Sequence, residues 1–132
     1  MIAVLVAVVA GVALFAVAGL YLKRPPDVAR ALERLSSEMN KRLPMTVDKE
    51  TRWESSAPGP DKLLSYRYTL VNFEGADVPK DALAEIRTRA LANYKTNPAM
   101  KSLREMDVTL RYQYNNKAGV PAGEFSISPK DF

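Results

Sequence analysis

The sequence predicts an α+β protein: an N-terminal transmembrane helix followed by a helix-strand-strand-helix-strand-strand domain with a four-stranded antiparallel sheet. Three observations predict it. Residues 2–22 carry no charged side chain, and all 19 Lys and Arg and all 15 Asp and Glu lie beyond them. Two stretches, beginning at Val28 and Leu83, place apolar residues three and four apart, the helical period. Four further stretches alternate apolar with polar residues, as half-buried strands do. The expected organisation is a transmembrane anchor at 1–22, a basic and proline-containing tether at 23–26, and one small α+β domain at 27–132.

The apolar run from Ile2 to Leu22 would form a helix about 31 Å long, close to the roughly 30 Å of a bilayer core. A cleaved signal peptide would need a basic n-region and a shorter apolar core. Ala16-Val17-Ala18 could serve as its cleavage site. No Lys or Arg precedes the run, however, and it continues through Leu20-Tyr21-Leu22, so the reading is an uncleaved, single-pass signal-anchor. Membrane lipid is thus one expected partner, contacted through residues 2–22. Lys23, Arg24, Arg30, Arg34, Lys41 and Arg42 all follow the run, and the positive-inside rule then places the domain on the cytoplasmic side of a bacterial inner membrane. Ala3, Ala7 and Gly11 share one helix face. Such small-residue faces let membrane helices approach closely, so a homodimer through these three is an expectation, against the alternative that the spacing is chance in an alanine-rich helix.

Composition excludes several chemistries. With no Cys there is no disulfide, thiolate nucleophile or thiolate metal site. With no His there is no Ser-His-Asp triad and no His-ligated zinc. The net charge of +4 suits a position near anionic head groups and is too small to indicate nucleic-acid binding. No cofactor or metal is expected: isolated glycines make no phosphate loop, and no acidic stretch has EF-hand spacing.

The elements follow in order. Pro25-Pro26 breaks the membrane helix. Asp27 opens a helix whose apolar face is Val28, Leu32, Leu35, Met39 and Leu43, ended by Pro44. Met45 to Glu54 alternates and reads as one strand, with Lys49 as a polar interruption on the inner face. Ser55 to Asp61 reads as a turn, being rich in Ser, Pro and Gly. Leu64, Tyr66, Tyr68 and Leu70 form the inner face of a second strand; Val71 and Phe73 make its far end apolar on both faces, which suits a central position. Asp77 is the expected cap of a second helix, with Leu83, Ile86, Ala90 and Tyr94 as its apolar face and Asn97-Pro98 as its stop. A further helical turn is expected around Met100–Arg104. Val108, Leu110, Tyr112 and Tyr114 form a third strand, Asn115 to Gly119 a hairpin loop, and Glu124 to Ser128 a last strand ended by Pro129 at an edge. Tyr66-Arg67-Tyr68 and Tyr112-Gln113-Tyr114 echo one another in the two halves. Both helices are expected on one face of the sheet.

Asn40-Lys41-Arg42-Leu43-Pro44-Met45-Thr46-Val47-Asp48, then Thr51-Arg52, then Tyr66-Arg67-Tyr68-Thr69-Leu70-Val71-Asn72 resemble a group of small bacterial envelope proteins of unknown function. These have an LPMxVDxxTR strand and a YxYTLVN strand. The resemblance covers about residues 40–73. It implies an α+β fold and an envelope setting, hence a periplasmic domain, and supplies no activity. Members of the group carry a Cys pair at places that correspond here to Lys95 and Phe132, so the resemblance implies a disulfide that this chain lacks.

No residue constellation here is specific for catalysis. The best candidates for an interaction surface are Asp48, Thr51, Arg52, Arg67 and Asn72, within the resembling strands. On one continuous strand Asp48 and Arg52 would share the outward face about 13 Å apart, too far to pair directly. Cross-strand ion pairs are the structural alternative. The leading reading is a non-catalytic binding or structural module with a protein partner in the bacterial envelope. Two others stay open: an inhibitor or immunity-type protein acting through a protruding loop at 55–61 or 115–120, and an enzyme built on carboxylates or Lys.

Overall fold

A computed structural model describes residues 27–132. The anchor expected at 1–22, the tether at 23–26 and the face of Ala3, Ala7 and Gly11 lie outside the described residues. Among the described residues no helix is long and apolar enough to cross a membrane.

Helix α1 spans Val28–Asn40. Asp27 caps it by accepting the Arg30 N–H at 3.0 Å, which satisfies one of the orphan donors of the first turn. Its buried stripe is Ala31, Leu32, Leu35, Ser36 and Met39. Val28 and Leu43 are only half-buried. A cis Leu43–Pro44 bond leads into the sheet.

The sheet corrects the sequence-based expectation twice. It has five strands and it is mixed: β1 (Met45–Asp48), β2 (Thr51–Gly59), β3 (Leu63–Leu70), β4 (Thr109–Asn115) and β5 (Pro121–Ile127) lie side by side in that order. The four-stranded antiparallel sheet is therefore wrong in strand count and in direction. The single strand expected over 45–54 is a hairpin. Asp48 Oδ1 accepts the Glu50 N–H at 2.7 Å, closing a tight turn in which Lys49 sits, and Asp48 pairs with Thr51. The turn expected at 55–61 is mostly strand: β2 continues to Gly59, and only residues 60–62 turn, with Asp61 and Lys62 at φ of 59° and 60°.

The pairing of β3 with β4 is parallel, while the other three pairs are antiparallel. The connection carries helix α2 (Lys80–Thr96), a 3₁₀ turn at Pro98–Met100 and the short helix α3 (Lys101–Glu105), ample length for a crossover. Pro79, not Asp77, stands at the cap of α2. Its carbonyl end is tied down by Arg104, whose Nη1 donates to the carbonyls of Tyr94 and Asn97 at 3.0 and 2.7 Å. Central β3 was expected, and β3 is the middle strand, although Val71 and Phe73 lie beyond its end.

Both helices cover the same sheet face. α1 meets it at Ser36–Ser56, and Leu83 of α2 lies beside Gly123. That face carries an aromatic ladder. Trp53 and Tyr66 meet edge to face at 5.4 Å, Tyr68 stacks on Tyr114 at 5.1 Å, and Tyr112 stacks on Phe125 at 4.8 Å. Such pairs contribute about 0.5–1.5 kcal/mol each beyond their burial. The parallel register sets Tyr66 beside Tyr112 and Tyr68 beside Tyr114, so the two echoing tripeptides are neighbours in space.

Residues 55–59 are strand through pairing with β3 on one side, and on the other side the edge is partly filled. β1 reaches only to the level of Trp53, leaving the outer edge of β2 open beyond it. The Asn40 carboxamide fills that place, accepting the Ser56 N–H at 2.8 Å and donating to the Ser56 carbonyl at 2.9 Å. Beside it the hydroxyls of Ser36 and Ser56 lie 3.0 Å apart. At the other end of the molecule a C-terminal strap holds to α2. Asp131 pairs with Arg87 at 3.4 Å, and the Phe132 ring meets Tyr94 at 5.6 Å.

Candidate functional site

With both helices on one face, the opposite face of the sheet is left to polar residues. Alternation dictates which ones: between the buried Tyr66 and Tyr68 stands Arg67, and between the buried Tyr112 and Tyr114 stands Gln113. Register then aligns them. Ser55, Arg67, Gln113 and Glu124 form one row across four adjacent strands. Ala57, Ser65, Arg111 and Ser126 form the next row, and Arg52, Thr69 and Asn115 flank the first on its other side.

The charges on this face are partly paired. Arg52 Nε donates to Glu54 Oε2 at 2.7 Å. Partial burial works to raise the Glu54 pKa, but the Thr69 hydroxyl, Arg52 and Arg67 outweigh it and hold the carboxyl below its usual range. Arg111 Nε reaches Glu124 Oε2 only at 4.0 Å. Arg67 donates from Nε and Nη2 to the neutral Ser55 hydroxyl, at 3.3 and 3.2 Å, and makes no ion pair with a described residue.

A cleft of about 440 Å³ opens where this face meets the β4–β5 hairpin, lined by Arg67, Asp77, Gln113, Asn115, Glu124 and Gly123 among others. The hairpin loop beside it is braced rather than loose. Asn116 Oδ1 accepts the N–H groups of Ala118 and Val120, at 2.9 and 3.0 Å, and its Nδ2 donates to the Gly75 carbonyl at 3.0 Å. Lys117 N–H donates to the Phe73 carbonyl at 2.7 Å. Gly119 sits at φ +83°, a conformation that side chains resist.

The five sequence-based candidates separate. Arg52 and Arg67 lie on the open face. Thr51 is fully buried on the opposite face. Asp48 and Asn72 work at the β1–β2 turn: Asn72 Nδ2 donates to Glu50 Oε2 at 2.8 Å, while Asp48 holds the Glu50 N–H. Asp48 lies on β1 opposite the buried Thr51, whereas Arg52 lies on β2 opposite Thr46, which removes the shared outward face assigned to them. Sequence reasoning missed Gln113, Glu124 and Asp77. Gln113 was legible as the counterpart of Arg67 in the echoing tripeptides; Asp77 and Glu124 join the site only through the fold. The protruding loop considered at 55–61 is mainly strand, whereas the one at 115–120 remains a loop. The cleft sets the carboxylates Asp77 and Glu124 beside Arg67, and its lining includes no lysine. Among the described residues no group of three or more acidic residues could hold a metal ion.

Fold and site together define a class: a small α+β module with two helices on one face of a mixed sheet and a polar, partly charged face left open. The chain belongs to the family described as Domain of unknown function (DUF8479), whose model matches residues 28–120. That range includes the strands on which the sequence resemblance rests. No curated protein matches the chain in sequence. Solved structures share the fold at low identity. The pilotin EpsS from the Vibrio vulnificus type 2 secretion system has a TM-score of 0.63 at 9% identity, covering 78% of this chain and 89% of its own. A Pseudomonas aeruginosa protein assigned as secreted has a TM-score of 0.63 at 10% identity, with 82% and 95% covered. The type II secretion pilotin AspS from Vibrio cholerae has a TM-score of 0.57 at 14% identity, with 80% and 96% covered.

Proposed function

We infer that this protein is a non-catalytic, protein-binding module of the bacterial envelope, held at a membrane by its apolar segment 2–22, and that the open face of its sheet receives the partner. The observation that carries this reading is the asymmetry of the sheet. One face is closed by helices and an aromatic ladder, while the other presents the row Ser55, Arg67, Gln113 and Glu124 with a cleft beside it. The fold shared with two type II secretion pilotins supports an envelope helper over an enzyme. The apolar run supplies the tether by its length and lack of charge.

The test is a photo-crosslinking amino acid in the full chain, in cells, at Gln113 or Ser65 on the open face and at Ala84 on α2 as the control. One defined adduct with an envelope protein from the open-face positions, absent from Ala84, is the expected result. Adducts from Ala84 alone, or none, overturn the reading. The side of the membrane is read with Asp61→Cys in the exposed β2–β3 turn and a membrane-impermeant thiol reagent. The envelope setting implied by the family resemblance expects labelling in intact spheroplasts, whereas the flanking charges expect protection.

A further inference from the structure

We propose that the cleft on the open face takes an extended peptide segment of the partner that carries an acidic and a basic side chain two residues apart. This rests on the open face being the docking surface and names the chemistry that it selects.

The charges of the cleft are of both signs and are not neutralised by one another. Arg67 donates to the neutral Ser55 hydroxyl and also acts on the Glu54 carboxylate outside the cleft, but it makes no ion pair with a described residue. Asp77 makes no ion pair with a described residue, and the only one Glu124 makes there is with Arg111 at 4.0 Å. In the shared row Arg67 and Glu124 stand two strands apart with Gln113 between them. Two strand spacings are about 10 Å, beyond ion-pair contact, so the sheet holds this cation and anion apart. A guanidinium whose donors face a neutral hydroxyl retains its capacity for a carboxylate. The carboxylate of Asp77, without an ion pair to a described residue, and that of Glu124, held only by a 4.0 Å contact to Arg111, suit an ammonium or guanidinium. Between them Gln113 and Asn115 offer neutral amides, each both donor and acceptor, to a peptide backbone.

The spacing follows from strand geometry. In an extended peptide, residues i and i+2 point to the same side about 7 Å apart. The reach of a Glu and a Lys side chain spans the remainder to the two poles of the cleft. A peptide with two acidic residues places one against Asp77 and Glu124, and one with two basic residues places one against Arg67; like charges so placed are unfavourable. The braced loop at 116–120 fixes the neighbouring wall and limits the entropy lost on binding.

The experiment uses the isotopically labelled full chain in micelles, titrated with three end-capped peptides: Gly-Glu-Gly-Lys-Gly, Gly-Glu-Gly-Glu-Gly and Gly-Lys-Gly-Lys-Gly. Side-chain amide signals of Gln113 and Asn115 report binding. The mixed-charge peptide is expected to bind about fivefold more tightly than either like-charged peptide, the worth of one exposed charge pair. Arg67→Gln should lower its affinity about fivefold, and the double variant Asp77→Asn with Glu124→Gln should do the same, both keeping a folded spectrum. Equal affinity for the three peptides, signals that move elsewhere, or no binding overturns the proposal. If crosslinks at Gln113 persist while the peptide preference is absent, the charge inference fails and the docking face stands. If the preference holds while no crosslink forms, the docking reading fails and the cleft remains a peptide site.

Discussion

Raising the pH past the range of an ordinary tyrosine should unfold this domain steeply. Tyr66, Tyr68, Tyr94, Tyr112 and Tyr114 are all buried. Burial pushes each phenol above its usual value; for Tyr66 and Tyr68 neighbouring phenols add to this, and for Tyr114 both Tyr112 and Asp48 do. A group whose folded pKa is raised stabilises fully below its unfolded value, about 10 for tyrosine, and loses that contribution as pH rises toward the folded value. Each proton released only on unfolding changes stability by about 1.4 kcal/mol per pH unit. Five phenols acting together give a slope of about 7 kcal/mol per pH unit above pH ~10. A domain of this size has a total stability of about 5–15 kcal/mol, so unfolding should be complete within about two pH units. The assay follows phenolate absorbance and circular dichroism on the same sample. The two should change together in one transition steeper than a single-proton titration. A phenolate signal that rises gradually near pH 10 while the secondary structure persists would refute the buried ladder.

Four further outcomes test separate joints. Asn40→Ala should cost about 2 kcal/mol and lower the melting temperature by about 10 °C, because it strips two hydrogen bonds from the Ser56 backbone; Trp53 fluorescence in urea measures it. Tyr94→Phe should cost about 1 kcal/mol through loss of the bond from its hydroxyl to the Val108 carbonyl, whereas Tyr112→Phe, whose buried hydroxyl has no partner among the described residues, should be neutral or slightly stabilising. Lys62→Gly should stabilise by about 0.5–1 kcal/mol, since Lys62 holds a left-handed backbone that glycine adopts freely. Glu54→Gln should lower stability at neutral pH, and the gap from the parent should close as pH falls below about 4. The carboxyl sits lower in the folded chain than in the unfolded one, so its contribution is present above the unfolded value and lost as pH falls through the folded one.

Local periodicity was enough to place both long helices. The stripe Leu32, Leu35 and Met39 and the stripe Ile86, Ala90 and Tyr94 are buried as their spacing required, and Asp27 caps α1 as its position suggested. The strand cores at Leu64–Leu70 and Val108–Tyr114 were legible for the same reason: alternation is a local property of the chain. Asp77 shows the limit, since a residue able to cap a helix stands two positions before the actual cap and instead lines the cleft.

The sequence by itself determined which residues turn inward within each element, because burial follows a period of 3.6 or 2 that can be counted along the chain. It also determined that Arg67 and Gln113 face away from the core, flanked as each is by two inward tyrosines. Only the tertiary structure decided the rest. The alternation of 45–54 is interrupted only at Lys49, which sits in the Asp48–Glu50 turn, and one polar residue on the inner face is too weak a signal to divide a strand. Ser55–Gly59 has turn composition, yet it is strand because it pairs residue for residue with β3, while Asn40, sixteen residues before Ser56, supplies the edge bonds at Ser56. Strand direction across the α2 connection depends on where that helix packs, which no window of sequence contains. The parallel register chosen there brings Arg67 beside Gln113 and two strands from Glu124, and so makes a site from residues spread over more than fifty positions of chain.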